Sequence, residues 1–155
     1  MNARIITPAS LRGAHIDFLS SGRFPHAVTL NTDRELTAAR LRSIFGTFCM
    51  NVDRVTHSKQ RVDKIPSHQR FLAIAWPENL TTNAHLHVAA DLRAFEARVR
   101  RADAPTLEQI WHKASRRAGS VYVTQMTTQG WAAYMTKKAE RSDPLYFIST
   151  DFHPN

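Results

Sequence analysis

The sequence predicts an α+β fold, a mainly antiparallel central sheet with helices packed against it. Three observations carry that expectation. A β-hairpin is explicit, with one arm at Phe71-Leu72-Ala73-Ile74-Ala75-Trp76 and the returning arm at His85–Asp91. Two more segments, His26–Asn31 and Ser120–Thr127, have strand character, and helical patterns lie between and after them. Strands outnumber the crossovers that a doubly wound parallel sheet would need. With 155 residues, 43% of them hydrophobic, the chain is read as a single domain over 1–155 that buries a normal core.

Taken in order, residues 1–22 form a poorly marked lead-in, punctuated by Pro8, Gly13 and Ser20-Ser21-Gly22, with one short helix near Leu11–Leu19. This lead-in is expected to pack on the domain edge. The first strand, His26–Asn31, alternates Val28 and Leu30 against Ala27, Thr29 and Asn31. Thr32-Asp33-Arg34-Glu35 has the form of a capping box and predicts a helix over 33–50. Its apolar stripe is Leu41, Ile44, Phe45, Phe48 and Val52. Residues 53–69 read equally as strand or loop.

The hairpin follows, its first arm ended by Pro77. Asp91 is placed to cap a helix carrying Leu92, Phe95 and Val99. Ala104-Pro105-Thr106 breaks it, and a second helix carries Leu107, Ile110, Trp111 and Ala114 up to Gly119. After the Ser120–Thr127 strand, a last helix spans about 129–141 and stops before Pro144.

Composition narrows the function. Twenty-one Lys and Arg against 13 Asp and Glu give a net charge of +8. Such an excess favours a polyanion, nucleic acid first and an anionic membrane surface second. The positive residues are spread along the chain, which points to a folded basic surface rather than a tail. No apolar run approaches a bilayer span, no secretory signal is visible, and the single Cys49 fits a reducing compartment, so a cytoplasmic protein is expected. Cys49, Trp76 and Trp111 are read as core, and Tyr122 and Tyr146 as packing residues. His15, His26, His57, His68, His112 and His153 show no paired spacing and are given ordinary roles.

Chemistry concentrates in two places. In Asn83-Ala84-His85-Leu86-His87-Val88 the two histidines alternate on one strand face, about 6.5–7 Å apart, and can grip one metal ion. Leu86 and Val88 point the other way. On the last helix, Tyr134, Lys137, Lys138 and Arg141 lie within about 60° of one another, beside an apolar stripe of Trp131, Met135 and Ala139. A phenol with a pKa of about 10 is a poor nucleophile at neutral pH and needs an activated electrophile and nearby cations. A metal at His85 and His87 would polarise a phosphodiester, Lys137 would help neutralise charge on Tyr134, and Lys138 and Arg141 would carry the DNA backbone.

Three motifs in order resemble those of the HUH endonuclease superfamily, specifically the single-tyrosine initiators of rolling-circle replication. They are the strand His26-Ala27-Val28-Thr29-Leu30-Asn31, the His85-Leu86-His87 pair and Tyr134-Met135-Thr136-Lys137, together spanning roughly 25–140. The resemblance implies an antiparallel, HUH/RRM-like sheet and metal-dependent nicking and rejoining of single-stranded DNA through a 5′-phosphotyrosine on Tyr134. It implies magnesium or manganese as cofactor. It also implies a third ligand, often acidic, from the neighbouring strand region, for which Glu78 is the first candidate.

Simple alternation gives Glu78 the parity of Leu72, Ile74 and Trp76, read as the core face, unless Pro77 breaks it. Asn31, Gln125 and Asp91 are the other candidates. Alternatives for the chain are a single-tyrosine transposase or relaxase, a metal-dependent hydrolase using water, and a non-catalytic nucleic-acid-binding module. Transposases of this kind usually carry a glutamine where this chain has Lys137, which favours the initiator. No Gly-rich phosphate loop is present, so no fused helicase is expected.

Overall fold

The computed structural model describes residues 8–58, 60–101, 103–117, 119–126, 129–137 and 145–153. Its elements run α1 (Pro8–Leu19), β1 (His26–Asn31), α2 (Ala38–Thr56), β2 (Ala73–Glu78), β3 (His85–Ala90), α3 (Arg93–Val99), α4 (Leu107–Ser115), β4 (Val121–Gln125), α5 (Gln129–Met135) and β5 (Phe147–Ile148). The five strands form one sheet, in the order β4-β1-β3-β2-β5, with every pair antiparallel. This is the predicted α+β architecture. Among the described residues, no helix is long and apolar enough to cross a membrane.

Both faces of the sheet are covered, unequally. On one, Val28, Leu30, Ala73, Ala75, Leu86, Val88 and Ala90 meet Leu41, Ile44, Phe45, Phe48 and Val52 of α2, with Phe95 of α3 and Trp111 of α4. Cys49 lies in this main core. On the other face a smaller core joins Leu19, Phe24, Trp76, Ala89, Ala132 and Met135. The lead-in therefore does more than line an edge. α1 packs against α5, and the Arg12 guanidinium donates to the Ala133 carbonyl at 3.4 Å.

Several boundaries differ from the sequence reading, each for a local reason. The α2 helix starts later, because Thr37 rather than Thr32 is its cap and accepts from the Arg40 N–H at 3.2 Å. Thr32 is fully buried and its hydroxyl donates to the Ala84 carbonyl at 2.6 Å, tying the end of β1 to the start of β3. Downstream, α2 runs on to Thr56, and two 3₁₀ turns, Val62–Lys64 and Ser67–Gln69, fill what read as strand or loop. Asp91 sits one residue before the α3 cap, Leu92, yet its carboxylate accepts from the Arg93 N–H at 3.1 Å.

The α4 helix has the Thr106/Gln109 capping box and ends on Arg116 in the left-handed region, ahead of Gly119. Gly119 has its own reason. At φ +88° its missing Cβ would fall 1.7 Å from the Asn31 carbonyl oxygen, where the chain turns into β4. Tyr122 is no packing residue, being 63% exposed on edge strand β4.

Pro77 lies inside β2 rather than ending it. The Asp91 N–H donates to the Leu72 carbonyl at 3.0 Å, so Leu72, Ile74, Trp76 and Glu78 turn their backbone groups to β3. Ala73, Ala75 and Pro77 turn theirs to the β5 side, where Ala73 N–H meets the Ser149 hydroxyl at 2.9 Å. β5 pairs only with Ile74 and Ala75. Pro77 thus falls beyond its end, and no ladder bond is lost.

Candidate metal centre

Strand register assembles the site. Glu78 of β2 pairs directly with His85 of β3, and Trp76 with His87. Directly opposed side chains start about 5 Å apart, so one carboxylate reaches both imidazoles. Glu78 Oε2 lies 3.6 Å from His85 Nε2 and 3.6 Å from His87 Nε2. The candidate ligand atoms of Glu78, His85 and His87 lie within 4.8 Å of one another. Ligands bound at about 2.0–2.2 Å to one ion sit roughly 3–3.5 Å from each other, so little movement is needed to enclose a cation.

The alternation of β2 is unbroken. Glu78 does share the parity of Ile74 and Trp76, and that parity is the histidine face. The main core takes the smaller Ala73 and Ala75 instead. Among the other candidates for third ligand, Asp91 is engaged by Arg93 at 2.6 Å, and Asn31 donates from its amide to the Ser120 hydroxyl at 3.2 Å. Gln125 is exposed on the edge strand.

Hydrogen bonds orient both imidazoles toward Glu78. His85 Nδ1 is 2.9 Å from the Asn83 carbonyl, which only accepts, so Nδ1 carries a proton and the ring is oriented with Nε2 toward Glu78. His87 Nδ1 is 3.4 Å from the Thr29 hydroxyl, and its buried Nε2 faces Glu78 Oε2 at 3.6 Å with no hydrogen bond among the described residues. A buried nitrogen left so is available to bind a metal ion. Burial pulls the His87 pKa from 6.5 down to about 4; Glu78 opposes that shift, and His85 and Lys137 add to it. His87 is therefore a neutral imidazole at physiological pH. The buried Glu78/His85/His87 group can hold a metal ion.

α5 delivers the rest. Among its described side chains Ala132 and Met135 are buried, with Thr136 just beyond, its hydroxyl donating to the Ala132 carbonyl at 2.8 Å. Trp131 is only half-buried, so the buried stripe is not the expected one; Ala139 lies outside the described residues. Tyr134, 46% exposed, sets its ring edge-on to His87 with 5.0 Å between centroids. Lys137, one turn on, places Nζ 3.2 Å from Glu78 Oε2 and 4.0 Å from the Tyr134 ring centroid. Partial burial works against its ammonium, but hydrogen bonds and charge from Glu78 and Tyr134 prevail and raise its pKa. Lys138 and Arg141 lie outside the described residues.

Sequence reasoning missed three participants, namely Thr29 behind His87, the Asn83 carbonyl behind His85, and Trp131. Thr29 was readable, since β1 alternation puts it on the polar face. With Thr29, His87, Gly130 and Tyr134, Trp131 lines an open cavity of ≈ 380 Å³ over the site. A larger cavity of ≈ 800 Å³, lined by Arg54, Arg98 and Lys113 among others, holds none of the site residues. Comparison with protein-family models, with curated proteins and with solved structures returned no match to this chain.

Proposed function

We propose that the protein nicks and rejoins single-stranded DNA through a covalent tyrosine intermediate, as in the HUH endonucleases that its three motifs resemble. One observation carries this reading: a buried Glu/His/His group with a tyrosine packed on one of its histidines and a lysine that touches both the carboxylate and the tyrosine. A metal centre whose neighbouring phenol is paired with a cation suits attack by that phenol better than attack by water. The net charge of +8 suits a polyanionic substrate.

In this reading Glu78, His85 and His87 hold Mn²⁺ or Mg²⁺, which when bound supplies positive charge at the phosphodiester oxygens. Lys137 stabilises the Tyr134 phenolate as its proton leaves. The phenolate oxygen attacks phosphorus, the P–O3′ bond breaks, and the departing 3′ oxygen takes up a proton. The products are a 5′-phosphotyrosine and a free 3′-OH able to prime synthesis, and reversal rejoins the strand.

The test is adduct formation. Protein is incubated with a random-sequence pool of single-stranded oligonucleotides and Mn²⁺, then denatured. A denaturation-resistant adduct is expected from wild type and not from Tyr134→Phe, which keeps its DNA affinity. An undiminished adduct in Tyr134→Phe, or none in wild type, overturns the assignment.

A further inference from the structure

The row of residues across the sheet at His87 continues past the metal centre. By register His87 pairs with Thr29, and Thr29 with Tyr122. Residues paired across strands point to the same face, so Tyr122 stands on the face that carries the site. Two strand spacings, roughly 10 Å, separate it from His87. α5 covers β3 and reaches Thr29 through the open cavity, but Tyr122 of β4 lies bare. At 63% exposure it is the most exposed large hydrophobic side chain among the described residues.

An aromatic ring can bury 150–250 Å² on folding, and Tyr122 leaves most of its share to solvent. An exposed aromatic in line with His87 offers a surface on which a flat ligand can stack. Thr29, which separates Tyr122 from His87 in this row, lines the ≈ 380 Å³ cavity together with Trp131. The exposed Arg116 and Arg117 lead the chain toward β4, supplying cations near this end of the sheet.

We propose that Tyr122 is a stacking platform for a nucleobase of the single strand, holding a nucleotide beside the scissile phosphate. The inference rests on the DNA-nicking reading for its substrate. Stacking is indifferent to base identity, so Tyr122 supplies affinity and placement rather than sequence choice.

The experiment measures the affinity of a random-sequence single-stranded 20-mer by fluorescence anisotropy, in EDTA to prevent cleavage, with the adduct assay run in parallel. Loss of a stacked base weakens binding about 5- to 150-fold, and an open platform belongs at the lower end. Tyr122→Ala is expected to weaken binding at least about fivefold with an unchanged salt slope, because no phosphate contact is lost. Tyr122→Phe keeps the ring and should bind within about twofold of wild type. Duplex DNA of the same length should bind Tyr122→Ala and wild type alike.

Equal single-strand affinity of Tyr122→Ala and wild type, with a normal adduct, overturns the platform and leaves the nicking reading intact. Equal weakening of duplex binding, or a changed salt slope, also overturns it. A Tyr122-dependent affinity without any wild-type adduct supports the platform and removes the nicking reading.

Discussion

The buried, neutral state of His87 makes a prediction about stability that is independent of DNA. In the folded chain its pKa is about 4, against 6.5 when unfolded. Above pH 6.5 neither state binds the proton, and His87 contributes no pH dependence. Between 6.5 and 4 the unfolded chain takes it up and the folded chain does not, so stability falls with pH. A gap of about 2.5 units, at about 1.4 kcal/mol per unit, amounts to roughly 3 kcal/mol lost by pH 4. That is a large part of the 5–15 kcal/mol typical of a small domain, roughly a fifth to three fifths.

The assay is urea unfolding in EDTA at half-unit steps from pH 7.5 to 4, on wild type and His87→Gln. Other shifted groups, such as the buried Asp53 with its raised pKa, are common to both chains and cancel in the difference. The wild-type curve is expected to drop about 3 kcal/mol further than the variant's across that window. Parallel curves would show that folding does not shield His87 from protonation, and the case for a neutral, metal-ready imidazole would go with them.

Saturating Mn²⁺, at about 100 times its Kd, should stabilise wild type by about 2.7 kcal/mol, roughly 5–11 °C in Tm, and leave Glu78→Ala unmoved; an equal shift in both would place the ion elsewhere. Lys137→Ala is expected to slow single-turnover cleavage at saturating DNA by at least about tenfold, the cautious end of what one lost electrostatic contact costs. Lys138→Ala should lower affinity alone, and identical behaviour of the two would deny Lys137 a special role. Gly119→Ala should cost on the order of 3 kcal/mol, or roughly 6–12 °C in Tm, because its new Cβ meets the Asn31 carbonyl. An unchanged melt would mean that the chain yields easily there.

The histidine pair was legible because period-two alternation needs no tertiary knowledge, and Leu86 and Val88 confirmed the phase from within the same strand. Glu78 was harder. Phe71-Leu72-Ala73-Ile74-Ala75-Trp76 is apolar at both parities, since β2 is covered on both sides, and bulk pointed to the wrong face as the main core. Large Ile74 and Trp76 fill the thin second layer under α1 and α5, while Ala73 and Ala75 make room for the aromatic side chains of α2. Thr32 failed as a helix cap because its hydroxyl is buried against the Ala84 and Arg34 carbonyls, to which it donates, and the helix begins only after Thr37. β5 has two residues, too few for any pattern to register.

Pro77 has a consequence beyond its own strand. An unfinished sheet border with bare N–H and C=O groups invites a strand from another molecule, the usual route to uncontrolled aggregation. Among the described residues β2 is such a border past Ala75, and it runs directly beside Glu78, the candidate ligand. By removing the N–H that would point outward there, Pro77 denies an incoming strand its first hydrogen bond. The border beside Glu78 is thereby kept from becoming a polymerisation seam, by a residue whose ring lies on the sheet face opposite the carboxylate.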